Sequence, residues 1–548
     1  MTELVTSAQM RAIEEAAIAS GAVTGLELME RAGRGAVETV LAEWPELSRG
    51  AHRAVVLCGP GNNGGDGFVV ARCLRDKGWA VELWLLGDAA KLPPDARANH
   101  DRWARMGAVR ALDTDAPDGS APPDLLVDAL FGTGLSRPIP EVALRALLAL
   151  RGRDAPQCRG VAVDCPSGLN CDTGEMLLPA LPGGRGAPPP AGQVAADLTV
   201  TFHRAKVGHY LGPPPMPSGK VVVVDIGLEP HDRPSVPPDA PPDPARVRRV
   251  SRAEGRHGSW PGSLFTAGGP AAHKYARGHA VVLAGGVGCG GAGRLAARGA
   301  LRVGAGLVTV ACPPAALIEN AAQLTAIMLR PLAGPEALAE MLADDRLTAL
   351  CLGPGLGVGA ATRALVATAV DAVTGRTDAE RRRVVLDADA LTSFAGDAEA
   401  LFALTHRTCV MTPHEGEFAR LFPDLSHAAR RRVGMSKVDA ARRAADRAGC
   451  TVLLKGPDTV IASPGGVASI HAALYDRSVP WLGTAGAGDV LSGMIAGLLA
   501  APGASGEIHG RVEAAAWLHV EAARVFGPGL IAEDLPEMLP RVFFALGL

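Results

Sequence analysis

Two glycine-rich segments lie far apart in this chain, and each contains an aspartate beside its last glycine: Gly59-Pro60-Gly61-Asn62-Asn63-Gly64-Gly65-Asp66-Gly67 and Gly483-Thr484-Ala485-Gly486-Ala487-Gly488-Asp489. Small residues at the mouth of a predicted helix leave successive backbone N–H groups free to face one anion, and the helix dipole adds roughly 0.3–1 kcal/mol. An aspartate there can take a proton from a hydroxyl approaching a phosphoryl group. Two sites are therefore expected. The first loop formally fits Gly-x-Gly-x-x-Gly after a strand, with Glu82 spaced like a ribose-binding acid. It nevertheless carries Asn62, Asn63 and Asp66, where a diphosphate loop wants small apolar residues, so a plain hydride-transfer domain is disfavoured. Two amides and a carboxylate suit a cation or a sugar. The plainer alternatives are an Asn/Gly turn with Asp66 capping the next helix, and Asp489 as an N-cap.

The elements that must hold these loops form two alternating series. Strand-like runs at Ala54 to Cys58, Val81 to Leu86, Asp124 to Asp128, Gly160 to Asp164, Leu198 to Phe202 and Lys220 to Asp225 alternate with helical stretches, which predicts a mainly parallel sheet covered on both faces. Ligands of such sheets bind at the carboxyl ends of the strands. Three of these ends carry polar or glycine-rich motifs: Cys58 before Asn62-Asn63, Asp128 before Phe131-Gly132-Thr133-Gly134, and Asp164 before Pro166-Ser167-Gly168. They are expected to converge. A second series follows at His279 to Ala284, Leu307 to Cys312, Leu347 to Leu352, Val384 to Asp389, Thr408 to Thr412 and Thr451 to Leu454, closing with helices near Asp489 and Arg511. The Pro- and Asp-rich stretch between the series marks a linker at 231–247, giving domains at 1–230 and 248–548. Pro179 to Gly192 has the same character and is read as a surface insertion.

At 548 residues the chain is too long for one core, and a net charge of −3 gives no reason to expect a nucleic-acid or anionic-membrane partner. Met1 to Ala19 lacks the tripartite pattern of a secretory signal, and the apolar run Val490 to Ala501 is too short to span a bilayer, so a soluble cytoplasmic protein is expected. Ten cysteines without a Cys-x-x-Cys pair read as buried free thiols, not as a disulfide framework or zinc site.

The first half resembles the NAD(P)H-hydrate epimerase domain. The resemblance rests on Leu26-Glu27-Leu28-Met29-Glu30-Arg31-Ala32-Gly33, Gly61 to Gly67, Asp128 to Gly134, Val163-Asp164-Cys165-Pro166-Ser167-Gly168-Leu169 and Asp197 to Phe202, in order. It implies a Rossmann-like three-layer α/β/α domain in which Asn62, Asn63, Gly64, Gly65 and Asp66, with Gly132, Thr133, Gly134, Leu135, Ser136, Arg137 and Pro138, bind a hydrated nicotinamide nucleotide. It also implies substrate contact by Asp164 and a K⁺ ion held through Asn63, Asp128 and Ser167. The hydrate carries a hydroxyl on C6 beside the ring nitrogen, whose lone pair can expel it. Epimerisation then needs an acid for the departing oxygen and a base to guide water back, and Asp164 is the expected proton shuttle. The apolar stripe Leu26, Leu28, Met29 and Ala32 is read as core before partner surface.

The second half resembles the ADP-dependent NAD(P)H-hydrate dehydratase domain of the ribokinase superfamily. The carrying segments are Gly285 to Ala292, Ala300 to Val308, Gly353-Pro354-Gly355-Leu356-Gly357, Leu386-Asp387-Ala388-Asp389-Ala390-Leu391, Thr412-Pro413-His414-Glu415-Gly416-Glu417, Leu454-Lys455-Gly456 and the Gly-Ala-Gly-Asp loop. The resemblance implies a ribokinase-like α/β fold, with Ala292, Gly357, His414 and Asp489 on the hydrate and Lys455, Gly456, Thr484, Ala485, Gly486, Ala487 and Gly488 on ADP. Phosphorylating the C6 hydroxyl makes it a good leaving group, so Asp489 is the expected base, with Mg²⁺ and Lys455 offsetting phosphate charge. A plainer reading gives His414 a place in a capping box formed by Thr412 and Glu415. Tyr275 to Arg277 and Thr392 depart from the family pattern. The expected protein is a bifunctional repair enzyme acting on small molecules, with no nucleic-acid or membrane partner, and a homo-oligomer. Two alternatives stand beside it: a ribokinase-type small-molecule kinase, and a noncatalytic nucleotide-sensing first half.

Overall fold

The computed structural model describes residues 3–113, 117, 122–151, 158–180, 191–212, 217–232, 245–250, 273–371, 382–501 and 508–548. Most of the expected linker and insertion lies outside them. The chain forms two compact units, 3–240 and 241–548.

The first unit contains strands β1 (Glu3–Val5), β2 (Arg53–Cys58), β3 (Ala80–Leu85), β4 (Val109–Ala111), β5 (Leu125–Ala129), β6 (Arg159–Val163), β7 (Leu198–Phe202), β8 (Ala205–Lys206) and β9 (Lys220–Val224). Seven of them make a parallel sheet in the order β4-β3-β2-β5-β6-β7-β9. The strands read as continuous apolar runs because both faces are covered. Within β2 the alternation divides the core: Ala54, Val56 and Cys58 face a cluster that includes helices Ser7–Ala19, Gly25–Glu43 and Asn62–Asp76, while Val55 and Leu57 face helix Glu141–Arg151. The architecture is thus three-layer α/β/α. Strand order reverses between β2 and β5, and the crevice beyond their carboxyl ends is where such sheets bind ligands. β1 pairs in parallel with β8, setting Val5 opposite Lys206. Of the stripe read as core, Leu28, Met29 and Ala32 are buried there, while Leu26 is only half-buried and stays outside the cluster.

The second unit contains β10 (Val247–Arg249), β11 (His279–Leu283), β12 (Leu307–Cys312), β13 (Met328–Pro331), β14 (Ala349–Leu352), β15 (Arg383–Leu386), β16 (Cys409–Met411), β17 (Thr451–Leu454), β18 (Asp458–Ala462) and β19 (Ala468–Ala472). Their order is β13-β12-β11-β14-β15-β16-β17-β18-β19-β10, parallel except that β18 runs against both its neighbours. The β18–β19 hairpin is absent from the sequence reading, although Gly465 and Gly466, both at positive φ, make its turn. The run expected to continue to Asp389 stops at Leu386, because Asp387 accepts the N–H of Ala388 and starts the helix Ala388–Thr392. The final helices, Ala487–Ala500, Ile508–Phe526 and Asp534–Leu546, pack with helix Gly291–Arg302 into one alanine-rich core.

The cysteines correct the sequence reading. Cys165 and Cys171 are joined in a disulfide, because the turn after β6 brings their side chains together beside His209. The other eight form no disulfide; seven of them are buried, while Cys289 is exposed in a glycine-rich loop. No helix among the described residues is long and apolar enough to cross a membrane.

Candidate active sites

The first site gathers at the carboxyl ends of β2, β5 and β6. Gly59 follows β2 so closely against the next loop that a Cβ on it would lie 1.7 Å from the Leu130 carbonyl oxygen. Helix Asn62–Asp76 begins immediately after this crossing, with Gly61 as its N-cap and no side chain closing its mouth. Asp66 is therefore the fifth helical residue and caps nothing, which removes the plain capping alternative. Asn63 and Asp66 lie three residues apart on one helical face. Both polar atoms of the Asn63 amide are buried without a hydrogen-bond partner. A Cβ on Gly132 would lie 3.1 Å from Asn63 Oδ1 and 3.0 Å from Asp164 Oδ2, so the amide and the carboxylate converge on that loop.

Asp164 follows β6 at a φ of 64°, in the left-handed region that bulky residues avoid. Its Oδ2 accepts the Thr133 N–H at 3.1 Å. Its Oδ1 accepts Thr201 Oγ1 at 3.0 Å and Lys206 Nζ at 2.6 Å. Lys206 Nζ also donates to Thr201 Oγ1 at 2.7 Å, and its side chain is 1% exposed. Burial would raise the Asp164 pKa, but the charge and hydrogen bond of Lys206 outweigh it and hold the carboxyl below its ordinary range. Asp66 behaves oppositely. Burial, and then the charges of Asp164 and Glu14, push it well above that range. Burial also raises Glu14, on helix Ser7–Ala19, to about 7. Burial, then Lys206, lowers the His209 pKa to about 4, and the ring lies between the Lys206 N–H and the Asp164 carbonyl.

The residues expected to hold K⁺ form two groups. Ser167 donates its hydroxyl to Asp128 Oδ1 at 2.5 Å and its N–H to Oδ2 at 2.8 Å, while Asn63 stands free of both. Gly134, Ser136, Arg137 and Pro138 are exposed, and Leu135 is half-buried. Glu82 is ion-paired with Arg53 and Arg110, committed away from the glycine loop. Lys206 and Glu14 were missed by sequence reasoning. The one signal for Lys206 is a lysine just past an apolar strand, which alone reads as surface.

The second site lies at the mouth of helix Ala487–Ala500, whose N-cap Gly486 is left-handed and makes no side-chain cap. Asp489 sits in the first turn. Lys455 Nζ donates to Asp387 Oδ1 at 2.7 Å and lies 3.5 Å from where a Gly488 Cβ would be, so ammonium, glycine loop and Asp489 share one place. Burial and then the Asp387 charge raise the Asp489 pKa from 3.8 to about 6, against the pull of Lys455. Burial would lower the Lys455 pKa, but Asp387 raises it, so the ammonium stays charged. Asp387 is itself set by Gly353, at a φ of 124°, where a Cβ would lie 1.7 Å from the Asp387 carbonyl oxygen.

Gly357 donates its N–H to Asp389 Oδ2 at 2.8 Å, and Ala292 opens helix Gly291–Arg302 as its second residue. His414 is the N-cap of helix Glu415–Leu421: Nδ1 accepts the Gly416 N–H at 2.9 Å, and Glu417 returns a carboxylate oxygen to the His414 N–H at 2.9 Å. The capping box is thus His414 with Glu417. The expected pair of Thr412 and Glu415 does not form, because Thr412 is buried against the Leu386 carbonyl and Glu415 pairs with Arg430. The His414 side chain remains 55% exposed, open to a ligand. Gly456 follows Lys455 in the turn between β17 and β18. Thr392 ends a short helix, and Tyr275 lies between the cations of Lys274 and Arg346.

Residues 280–539 match the family model described as NAD(P)H-hydrate dehydratase, and residues 25–208 match the YjeF-related protein N-terminus. The bifunctional NAD(P)H-hydrate repair enzyme of Salinibacter ruber is 35% identical, covering 98% of this chain and 96% of its own. The NAD(P)H-hydrate epimerase of Rhodobacter capsulatus is 50% identical over 38% of this chain and 92% of its own. Among solved structures, an ADP/ATP-dependent NAD(P)H-hydrate dehydratase from Bacillus subtilis, co-crystallized with ATP/Mg²⁺, aligns at 27% identity over 51% of this chain and 93% of that one, with a TM-score of 0.40.

Proposed function

The chain belongs to the family of bifunctional NAD(P)H-hydrate repair enzymes, and we propose that its first unit interconverts the R and S hydrates of NADH and NADPH while its second dehydrates the S form at the expense of ADP. Damage yields both epimers and the second site takes one, so the two activities together complete the repair. The observation that carries this reading is the meeting of Lys455, Gly488 and Asp489 at one helix mouth, a phosphate clamp and a base in reach of the same hydroxyl. A ribokinase-type kinase would use the same arrangement but would release a stable phosphate ester.

In the first unit, Asn62 to Asp66 and Gly132 to Pro138 would hold the nucleotide, and Asp164 would move the proton. The orphaned Asn63 amide and the oxygens of Asp128 and Ser167 fit a hard cation, and these three residues would hold K⁺. Bound there, K⁺ supplies fixed positive charge at the strand ends. In the second unit, Lys455, Gly456 and Thr484 to Gly488 would bind ADP. Ala292, Gly357 and His414 would bind the hydrate, and Asp489 would deprotonate its C6 hydroxyl. Carboxylates of Asp387, Asp389 and Glu417 act on Asp489 and suit a hard cation, so Mg²⁺ fits beside the phosphates and offsets their charge. We place the enzyme in the cytoplasm: eight of its ten cysteines form no disulfide, the usual state in a reducing compartment, with Cys165–Cys171 as the exception.

The test is the reduced-nicotinamide absorbance of a racemic NADH-hydrate mixture given enzyme, K⁺, Mg²⁺ and ADP. Full recovery by wild type and a stop near half with Asp164→Asn are expected. Absence of ADP-dependent recovery would overturn the dehydratase assignment.

A further inference from the structure

Lys437 stands where neither its own helix nor the usual habit of lysine would put it. It is the first residue of helix Lys437–Ala448, whose N-cap Ser436 accepts the Asp439 N–H at 3.0 Å. A cation at that end opposes the helix dipole, and lysine is ordinarily an exposed residue. Its side chain is nevertheless only 7% exposed, so groups outside the helix must hold it. They lie together. Nζ donates to Asp458 Oδ1 at 2.7 Å, to the Asp458 carbonyl at 3.1 Å and to the Lys455 carbonyl at 3.4 Å.

These acceptors belong to the 455–457 turn between β17 and β18 and to the residue that follows it, and the turn carries Lys455 and Gly456, both assigned to ADP. Every backbone polar group of the turn has a partner. The Lys455 N–H donates to the Pro413 carbonyl at 2.9 Å, and the Gly456 N–H to Thr459 Oγ1 at 3.3 Å. The Gly456 carbonyl accepts Thr459 Oγ1 at 2.7 Å, and the Pro457 carbonyl accepts the Ala473 N–H at 2.7 Å. That leaves the Lys455 carbonyl, which accepts Lys437. A Cβ on Gly456 would lie 2.8 Å from both Lys437 Nζ and Asp458 Oδ1, so the ion pair also fills one side of that glycine.

We infer that Lys437 is a positioning residue for the nucleotide: it fixes the 455–457 turn so that the Lys455 ammonium and the Gly456 backbone meet the phosphates of ADP already in place. The inference rests on the reading of the second unit as an ADP site. From this turn the Lys455 side chain reaches Asp387 Oδ1 at 2.7 Å and the mouth of helix Ala487–Ala500, so a shift of its backbone moves the ammonium relative to the glycine loop. Groups fixed before binding lose less freedom when the ligand arrives, and that gain appears as affinity. Lys437 also stands near the hydrate side, since Glu415, next to His414, has Oε1 3.9 Å from Nζ. The same oxygen accepts Arg430 at 2.9 Å, so Arg430 holds that side and loss of Lys437 should loosen the ADP turn alone. A pair that merely fastened the β17–β18 hairpin would, when broken, lower the transition temperature without favouring one substrate over the other.

The experiment combines titration calorimetry of the full-length chain with ADP and Mg²⁺ and initial rates of NADH recovery from the S hydrate, for wild type, Lys437→Met and Lys437→Arg. The positioning role predicts that Lys437→Met raises both Kd and KM for ADP roughly tenfold or more, the worth of a charged hydrogen bond, and leaves KM for the hydrate within about twofold. Lys437→Arg, which keeps a cationic donor for Asp458 and the Lys455 carbonyl, should recover most of the ADP affinity. An unchanged Kd for ADP in Lys437→Met overturns the inference, as does an equal rise of both Michaelis constants, the mark of general loosening. Because Lys437→Met leaves the buried Asp458 without this ammonium and can cost the fold, a double variant with Asp458→Asn removes both charges. Binding of ADP weakened roughly tenfold in the folded double variant supports the inference, and binding as tight as wild type overturns it. A wild type that binds ADP but returns no NADH overturns the dehydratase reading, while the calorimetry still decides the role of Lys437. A wild type that binds no ADP overturns both.

Discussion

Each site sets a lysine against aspartates at the carboxyl edge of a parallel sheet, and the two pairings have opposite results. In the first, Lys206 binds Asp164, the candidate reacting group itself, and keeps it ionised. In the second, Lys455 binds Asp387, whose charge joins burial in raising Asp489 to about 6. A lysine attached to the reacting carboxylate makes a permanent acceptor. A lysine attached to its neighbour leaves the reacting carboxylate near neutrality, where a base is both present and strong enough to take a hydroxyl proton.

The comparison is broken most severely by Asp489→Asn. ADP-dependent recovery of NADH from the S hydrate is expected to fall by roughly 10²–10⁴-fold, while epimer interconversion in the first unit continues. Stability is expected to move the other way. The folded pKa of Asp489 lies above its ordinary 3.8, so the fold favours the protonated form; that contribution is present below pH 3.8 and is lost as pH rises through about 6. At pH 7.5 the aspartate is ionised at a cost. The half-buried amide should therefore gain about 1–3 kcal/mol, after allowance for solvent screening. Calorimetry of the second unit's transition checks it, and a lower transition temperature would contradict the assignment of cause.

Next in size are the two crowded glycines. Gly59→Ala would drive a methyl into the Leu130 carbonyl and open the mouth of the first helix, and Gly353→Ala would do the same to the Asp387 carbonyl at a φ that disfavours alanine. Each is expected to abolish the activity of its own unit and spare the other. Separate epimerase and dehydratase assays decide this, and loss of both activities from one substitution would show that the sites are not independent.

The pH dependence is a smaller effect. Dehydration should fall about tenfold between pH 7 and pH 5 as Asp489 takes up its proton, because only its ionised form accepts the hydroxyl proton. Epimerisation, with Asp164 ionised well below that range, should hold across the same interval after subtraction of the uncatalysed background. Initial rates of the two reactions in one buffer series test the contrast. Parallel decline would mean that one shared group controls both.

Much of this was legible in the residues. Apolar runs gave the central strands of both sheets, since a strand covered on both faces needs apolar side chains throughout, and the glycine loops marked the helix mouths. What escaped was of two kinds. The β18–β19 hairpin reads like more of the same apolar alternation, and only Gly465-Gly466 distinguishes it from another crossover. Lys206 and Glu14 escaped because their importance comes from β1 pairing with β8, a contact between residues some two hundred positions apart that no local pattern encodes. Asp66 is read from the sequence as a substrate contact with a helix cap as the plainer alternative, and only that alternative falls, because its helix already begins at Asn62.

His414 offers the finest test of the comparison, because it has a structural duty that the other candidates lack. Its Nδ1 caps helix Glu415–Leu421 through Gly416, and an alanine there would lose the cap, about 0.5–2 kcal/mol, together with any ligand contact. Asparagine separates the two, since its short amide is among the best N-caps but cannot present an imidazole to a nicotinamide. If His414 positions the ring, His414→Asn should keep the wild-type transition temperature while raising KM for the hydrate several-fold. KM for ADP should stay unchanged, because the nucleotide is assigned to Lys455 and the glycine loop. If the residue is only a cap, both Michaelis constants stay where they are and the hydrate must be oriented from the Gly357 side of the mouth, where Asp389 already holds the backbone N–H.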